Sequence, residues 1–249
     1  MESGDERANG AANFNTTRWT MVLACSDEND SARAQQALAN LFQTYWYPLY
    51  AYVRRRGYGE HDAEDLVQAF CLHLQEKHAL AKADRQRGKF RTFLLSSLQN
   101  FLANEKERAR AQKRGGGRDL IRLDAEEADA RYKLEPAHSV TPETIFETRW
   151  AHALLEQTLS GLRADFAARG KQRLFEGLQT FLTADLGETS YQTVANGLGL
   201  PLSAVKTSVH RLRQDYRLRL REEIGRTVAA PDEIDEELRH LRKVLATAA

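Results

Sequence analysis

The side chains best suited to binding chemistry lie between Ser203 and Arg217, at spacings that place most of them on one side of a helix. They carry hydroxyl, imidazole, ammonium and guanidinium groups: Ser203, Lys206, Thr207, His210, Arg211, Arg213 and Arg217. The cationic groups can bind phosphate, and the hydroxyl and guanidinium groups can also form hydrogen bonds with base edges. A run of charged residues alone usually indicates a helix face exposed to solvent. The residues that precede this basic segment, however, favour its binding to the major groove of DNA.

Those preceding residues predict a helix-turn-helix over residues 190–212. Ala195 is small enough for two helices to approach each other, and Gly199 permits a tight turn with a positive φ angle. Apolar residues at helical spacing predict the buried sides of the two helices: Tyr191, Val194, Ala195 and Leu198 in the first, and Val205, Val209, Leu212 and Tyr216 in the second. The second helix is therefore predicted to present its basic face to DNA.

A second polar face lies on a helix predicted from Lys89 to Arg114. Its buried stripe comprises Phe90, Leu94, Leu98, Phe101 and Leu102. Its outward face carries short neutral groups followed by guanidinium groups: Thr92, Ser96, Gln99, Asn100 and Ala103, then Arg110 and Arg114. This order suits contacts with bases and then with phosphate, although a polar face exposed to solvent accounts for the pattern equally well.

The helix predicted over His61–Lys77 has an unusual outer face. Its buried stripe comprises Ala63, Leu66, Val67, Phe70, Cys71 and Leu74. The opposite side carries His61, Asp65, Gln68, Ala69, Leu72 and Glu76. Leu72 among acidic and amide groups is typical of a partner-binding surface, because an apolar anchor gains from desolvation while a polar rim fixes the register. On periodicity alone, the simpler interpretation is that Leu72 is one isolated exposed leucine, which is common on soluble proteins. The rest of the chain favours the interpretation that this face binds a partner.

Few residue patterns suggest catalysis. His152 and Glu156 have the spacing of two metal ligands on one helix, but the sequence offers no evident third ligand. The chain has no phosphate-binding glycine loop, no GxSxG motif and no cysteine cluster. We therefore expect no enzymatic activity, no metal and no cofactor. A hydrolase that uses His152 and Glu156 is the alternative, and it would require bound metal.

Composition indicates a soluble protein with local rather than global charge. The net charge is +1, but basic residues cluster at Arg54–Arg56, at Lys106–Arg122 and at Lys206–Arg221. Such patches suggest contacts with phosphate at particular places. The chain has two cysteines, no secretory signal and no apolar run long enough to span a membrane. These features fit a reducing cytoplasm best.

The sequence predicts an all-α fold of two helical domains joined by a flexible linker, with the helix-turn-helix in the second. The predicted segments are a disordered tail (1–15), a first domain (16–114), a linker (115–140), a second domain (141–225) and a C-terminal helical extension (226–249). We expect Pro48 to kink or divide a helix that runs from Ser31 to Val53. Helices are predicted at 142–164, 170–184, 190–198 and 202–225, with Thr141 as the cap of the first. The C-terminal helix is predicted to dock on the second domain through Ile234, Leu238, Leu241 and Leu245.

Taken together, these residues resemble a bacterial RNA polymerase sigma factor of the extracytoplasmic-function (ECF) type. The resemblance covers about residues 31–114 and 141–225, which correspond to regions 2 and 4 of that family. The motifs TTRW near the start, YWYPLYAYVRRRGY, and DEELRHL near the end resemble a subgroup common in planctomycete-like bacteria. Two departures concern the second domain: the usual LPxxxREV-like turn is missing, and Pro201 stands where a Ser or Thr cap is usual.

The resemblance implies a role for each of the three faces. The DAEDLVQ stretch, Asp62–Gln68, lies on the helix that docks on the polymerase clamp in that family, which implies polymerase contacts by Asp62, Asp65, Gln68, Leu72 and Glu76. The FRTFL segment resembles the part that opens and contacts the −10 element, which implies DNA contacts by Lys89, Phe90, Arg91, Ser96, Gln99, Asn100, Arg110 and Arg114. The helix-turn-helix resembles the part that contacts the −35 element.

The function expected on this basis is to direct core RNA polymerase, through its clamp and flap regions, to promoters and to assist DNA melting there. Duplex and single-stranded promoter DNA would both be partners, and an anti-sigma factor is a further partner that the family admits. The alternative is a free-standing helix-turn-helix regulator whose first half binds a ligand or dimerises. That alternative does not explain why the helix face around Leu72 has the composition of a protein-binding surface.

Overall fold

The computed structural model describes residues 44–76, 89–111, 130–132, 140–183, 188–228 and 230–248. Every secondary-structure element within those ranges is an α-helix, so the predicted all-α fold class is confirmed. The predicted N-terminal tail, the predicted helix start at residues 31–43 and most of the predicted linker lie outside the described residues.

The helices follow one another with short connections wherever the chain is described. The first half contributes α1, which covers the described residues 44–55, α2 (Glu60–Glu76) and α3 (Phe90–Ala111). The second half contributes α4 (Pro142–Ala168), α5 (Gln172–Leu178), α6 (Thr180–Thr183), α7 (Glu188–Leu198), α8 (Leu202–Gly225) and α9 (Glu233–Ala248). Thr141 caps α4 as predicted, because its Oγ1 accepts a hydrogen bond from the Thr144 N–H at 3.1 Å.

The predicted helix over residues 170–184 is two short helices instead. The Gln179 C=O accepts a hydrogen bond from the Leu182 N–H at 3.0 Å, and this three-residue spacing tightens the chain between α5 and α6. Phe175 and Phe181, one in each of the two helices, are both buried. The break therefore lets two large aromatic side chains enter the core from successive short segments.

The described residues form two compact units: one reaches His152 and resumes at Ile224, and the other comprises Ala153–Glu223. α4 and α8 therefore each contribute residues to both units. The C-terminal helix α9 belongs to the first unit. Its His240 Nε2 lies 2.9 Å from Oε2 of Glu147 in α4, so α9 does contact the predicted second domain (141–225). Its buried Glu237 also pairs with cations at the start of α3, outside that domain, which the prediction did not include.

Aromatic side chains fill the core of the first unit. Tyr45, Tyr50 and Tyr52 on α1 are fully buried, and the Tyr45 ring meets Phe90 edge to face at 5.5 Å. Pro48 does not divide this helix, since residues 44–55 are continuously helical. A proline inside a helix costs about 3 kcal/mol, and burying several aromatic side chains at about 1.5–3 kcal/mol each outweighs that cost.

Part of the predicted flexible linker is helical and packed. Residues 130–132 form a short helical stretch, and Tyr132 meets Tyr50 edge to face at 6.4 Å. The guanidinium of Arg54 lies 4.9 Å from the centre of the Tyr132 ring. At these three residues the prediction of a flexible linker is wrong, because an aromatic side chain provides tertiary contacts that composition alone does not indicate.

The second unit has its own apolar core, built from α4 to α8. Its buried members are Leu162, Phe166, Phe175, Leu178, Phe181, Ala195, Val205, Val209 and Leu212. α4 ends beyond its predicted end because Gly170 adopts a φ of +66°, which allows the Lys171 N–H to bond to the Phe166 C=O at 2.8 Å. This closure turns the chain into α5, whose residues pack against α7.

Candidate nucleic-acid interface

α7 and α8 are joined by a tight turn at the glycine that the sequence identified. Gly199 has a φ of +67°, and the Leu200 N–H donates to the Ala195 C=O at 3.0 Å. The Pro201 C=O accepts from the Val205 N–H at 3.1 Å. α8 therefore begins at Leu202 as predicted, and Pro201 stands at its Ncap position with its carbonyl accepting the first helical hydrogen bond.

The apolar side of this helix pair is buried as the periodicity predicts. Val205, Val209 and Leu212 of α8 are buried, and Ala195 of α7 is buried beside them. Tyr191, Val194, Leu198 and Tyr216 pack against the same core. The Tyr191 ring lies 4.3 Å from that of Phe181. The packing of this core thus determines which side of α8 faces solvent and can contact a ligand.

The available side of α8 carries most of the predicted DNA-binding residues. Exposed side chains on it are Ser203, Lys206, Thr207, His210, Arg211 and Arg217. The Thr207 hydroxyl donates to the Ser203 C=O at 3.0 Å, and the Lys206 ammonium lies 6.0 Å from the centre of the Tyr191 ring. This surface offers cations beside short hydrogen-bonding groups, the combination that suits phosphate and base contacts.

Arg213 is the exception on this helix. Its Nε and Nη2 both donate to the Phe181 C=O, at 3.1 and 3.0 Å, and its side chain is only partly exposed. The guanidinium satisfies a carbonyl in the last turn of α6, where no intrahelical donor exists. The predicted DNA contact by Arg213 is therefore replaced by a structural one, because the side chain reaches a backbone acceptor on another helix.

On α2 the predicted stripe and face are largely as expected. Ala63, Val67, Phe70 and Leu74 are buried, whereas Asp62, Asp65 and Leu72 are exposed. Leu72 is 39% exposed, which places it among the large apolar residues most open to solvent in the described part of the chain. An exposed leucine with exposed carboxylates on the same helix is a surface that a protein partner can cover.

Gln68 is not a member of that exposed surface. Its side chain is 8% exposed, and its Nε2 donates to Oε1 of Glu64 at 3.1 Å. The bond joins two residues one helical turn apart, so the amide is satisfied within α2 and does not await a partner. Glu76 lies in α2, but its side chain is outside the described residues, so its predicted contact stays a prediction.

Some side chains on the outward face of α3 are exposed to solvent, whereas another is bonded to groups within the protein. Thr92, Ser96 and Asn100 are exposed, as predicted. Gln99 is half-buried, and its Nε2 donates to the Tyr52 hydroxyl at 3.1 Å and to Glu143 Oε1 at 3.3 Å. Gln99 therefore already has partners within the protein. The side chain of Arg110 and all of Arg114 lie outside the described residues.

The start of α3 departs most from prediction. Phe90 is fully buried against Tyr45 and Phe93. Arg91 is 5% exposed, with its guanidinium 4.8 Å from the centre of the Trp150 ring. Neither side chain is accessible to DNA in this structure, because Phe90 packs in the aromatic core and Arg91 is enclosed by Trp150 and by carboxylates.

Three glutamates surround the two cations at the start of α3. Glu237 and Glu236 of α9 lie 2.8 and 3.0 Å from the Lys89 ammonium. Glu237 and Glu147 each lie 3.2 Å from Nε of Arg91. We call these five residues the α3–α9 charge cluster: Lys89, Arg91, Glu147, Glu236 and Glu237.

The contacts within the charge cluster shift the pKa values of Lys89 and Glu236. Burial disfavours the charged form of Lys89, but hydrogen bonds to Glu237 and Glu236 outweigh it and raise the pKa of Lys89 above its ordinary value. The hydrogen bond from Lys89, aided by its charge, lowers the pKa of Glu236. Sequence reasoning missed this cluster, because residues such as Lys89 and Glu236 lie 147 positions apart and no motif connects them.

The predicted metal pair does not gain further ligands in the part of the chain that is described. Nδ1 of His152 lies 3.1 Å from Nη1 of Arg149, and no group of three or more metal-ligating side chains occurs among the described residues.

None of the described helices is both long enough and apolar enough to cross a membrane.

Comparison with known families finds a similarity in the first half of the chain. Residues 41–112 match the family model for sigma-70 region 2, which covers α1, α2, α3 and the connections between them. Neither the curated proteins nor the solved structures gave a match. The matched segment supports a sigma-70 family factor, and with it a role in promoter recognition and melting.

Proposed function

We propose that this protein is a sigma factor of the ECF type, of the planctomycete-like subgroup, that directs core RNA polymerase to promoters in the cytoplasm and assists melting there. The match of residues 41–112 to sigma-70 region 2 is the observation that carries the proposal. The chain acts without catalytic chemistry of its own, by binding polymerase and DNA together.

The α2 surface is the proposed docking site for the polymerase clamp. Asp62, Asp65 and Leu72 are exposed on it, and the buried Val67, Phe70 and Leu74 hold the helix against the rest of the unit. Binding would desolvate Leu72 at the centre and leave the carboxylates at the rim, the distribution typical of sites where a few residues supply most of the affinity.

The DNA contacts divide between α3 and α8. Ser96 and Asn100 on α3 offer short hydrogen-bonding groups to bases of the −10 element, with Arg110 and Arg114 further along for phosphate. Flipped bases of a melted strand can gain about 1–3 kcal/mol each by stacking. On α8, Arg211 and His210 suit base edges of the −35 element in the major groove, and Arg217 suits phosphate.

Tight, specific promoter binding by this protein should require core polymerase. The sequence between the two proposed DNA-contacting helices includes three consecutive glycines, Gly115–Gly117, a composition that by itself specifies no fixed distance between two DNA sites. Polymerase that grips the protein would hold both helices at the right separation. A free-standing regulator would instead bind its own site unaided, through a fixed dimer geometry.

The decisive experiment combines core-polymerase binding with gel shifts on a promoter library at one stated salt concentration. We expect Leu72→Arg to weaken core binding by about 2 kcal/mol or more, roughly 30-fold, because it places an unpaired charge at an apolar contact. Leu200→Arg is the matched control, since Leu200 is 38% exposed and gains the same charge on a different surface.

Two results would count against the proposal. Equal core affinity for Leu72→Arg and Leu200→Arg, in proteins with unchanged circular dichroism, would remove α2 as the docking surface. Nanomolar, sequence-specific binding by the protein without core enzyme would favour the free-standing regulator instead.

A further inference from the structure

The carboxylates of α9 occupy the places around Lys89 and Arg91 that nucleic-acid phosphates would take. Glu236 and Glu237 contact the Lys89 ammonium, and Glu237 also contacts the Arg91 guanidinium through Nε and Nη2. Carboxylates and phosphates bind these cations through the same charge-assisted hydrogen bonds. While α9 stays in place, nucleic acid therefore cannot use either cation.

The contact of α9 combines apolar and charged side chains. Along α9 only Leu241 among the apolar residues is fully buried, whereas Ile234, Leu238, Val244 and Leu245 are half-buried. Glu237, in contrast, is only 1% exposed. The ion pairs of Glu236 and Glu237 are the part of this contact that competing anions can replace.

Release of α9 would not leave a charge stranded in the core. The carboxylate of Glu237 would move into solvent, and Arg91 would lose the helix that covers it at the same time. The severe cost of an unpaired buried charge applies only when one partner remains enclosed. Phe90 would stay in the core in either state, since its ring packs on Tyr45 and Phe93.

We propose that α9 is an autoinhibitory helix that competes with single-stranded DNA for Lys89 and Arg91. The proposal rests on the proposed function, because it assigns these two cations to the DNA-contacting surface of α3. DNA and α9 then bind the start of α3 in mutually exclusive fashion, and each weakens the other by the same factor.

The test uses the full chain and a fluorescein-labelled, mixed-sequence, single-stranded DNA oligonucleotide as probe. Glu236→Gln with Glu237→Gln should raise the affinity about tenfold and steepen the salt dependence by about 1.4 in the log–log slope, the value for two phosphate contacts on a single strand. Glu233→Gln with Asp235→Asn is the matched control, because it removes the same charge from the same helix. We expect the control to change the affinity less than about twofold.

A third variant identifies the cation responsible. Adding Lys89→Gln to the Glu236→Gln, Glu237→Gln protein should lower the slope again by about 0.7, the value for one contact. A well-folded Glu236→Gln, Glu237→Gln protein that binds no more tightly than its control would overturn the proposal. A gain in affinity that Lys89→Gln leaves intact would overturn it as well.

Amide hydrogen exchange of the wild-type chain provides a test that does not depend on the folding of any variant. Saturation with the oligonucleotide should speed exchange in residues 233–248, because bound DNA displaces α9. Unchanged or slower exchange at saturation would refute displacement. Binding of core polymerase, measured alongside, separates the two proposals: a protein that binds core but fails these tests loses only the autoinhibitory helix, whereas one that does not bind core loses the proposed function.

Discussion

Two glycines two residues apart, at the end of α7, should respond to alanine with opposite signs. Gly199 has a φ of +67°, a conformation that costs an L-residue about 1–2 kcal/mol. Gly197 lies within α7, where alanine is favoured over glycine by about 0.5–1 kcal/mol. A Cβ atom at either position would meet no heavy atom within 4 Å, so crowding contributes to neither effect. The two variants should therefore differ in the free energy of unfolding by about 1.5–3 kcal/mol.

Urea unfolding followed by far-UV circular dichroism measures this difference. We expect Gly199→Ala to lower the midpoint and Gly197→Ala to raise it, with the same m-value in both. In thermal unfolding each kcal/mol should move the midpoint by about 4–8 °C for a unit of this size. Two variants that shift stability in the same direction by similar amounts would refute the reasoning, since the turn at Gly199 would then not need its left-handed conformation in solution.

Two further predictions concern charged side chains. Arg213→Ala should lower the free energy of unfolding of the second unit by about 1.5–3 kcal/mol in thermal unfolding, because it removes both hydrogen bonds to the Phe181 C=O. Arg211→Ala should change that free energy by less than about 0.5 kcal/mol but weaken the binding of promoter duplex. The stabilisation that Glu236 gains from Lys89 should be full above about pH 5, fade as the pH falls below about 4 and, because the pKa of Lys89 is raised, persist up to about pH 10. A Glu236→Gln variant compared with wild type across that range would show the difference in midpoint shrinking in acid.

Each of these two predictions has a clear contrary outcome. Greater destabilisation by Arg211→Ala than by Arg213→Ala would mean that the structural and DNA-contacting arginines are interchanged. A difference between Glu236→Gln and wild type that grows below pH 4 would mean that the Glu236 carboxylate is not stabilised in its charged form by Lys89.

The local features of this protein could be predicted from the sequence because neighbouring residues determine them. Helical spacing of apolar residues identified the buried stripes of α2, α3 and α8. The positive φ of Gly199 and the cap at Thr141 followed from the backbone freedom of glycine and the hydrogen-bonding side chain of threonine. The exposure of Leu72 was also predicted, since this leucine interrupts an otherwise polar helix face.

Which cationic side chains bond within the protein and which remain exposed was decided only by the tertiary structure. Arg211 and Arg213 carry the same guanidinium group and lie two residues apart, yet of these two only Arg213 bonds to the Phe181 C=O, 32 positions away in the chain. Arg91 is enclosed by Glu237, which lies 146 positions away. Periodicity specifies which side of a helix faces the protein, but a long side chain can reach around that boundary to any acceptor that folding brings near. Residue type and spacing therefore located the basic helices, and the packing of distant segments determined which of their charged groups remain exposed.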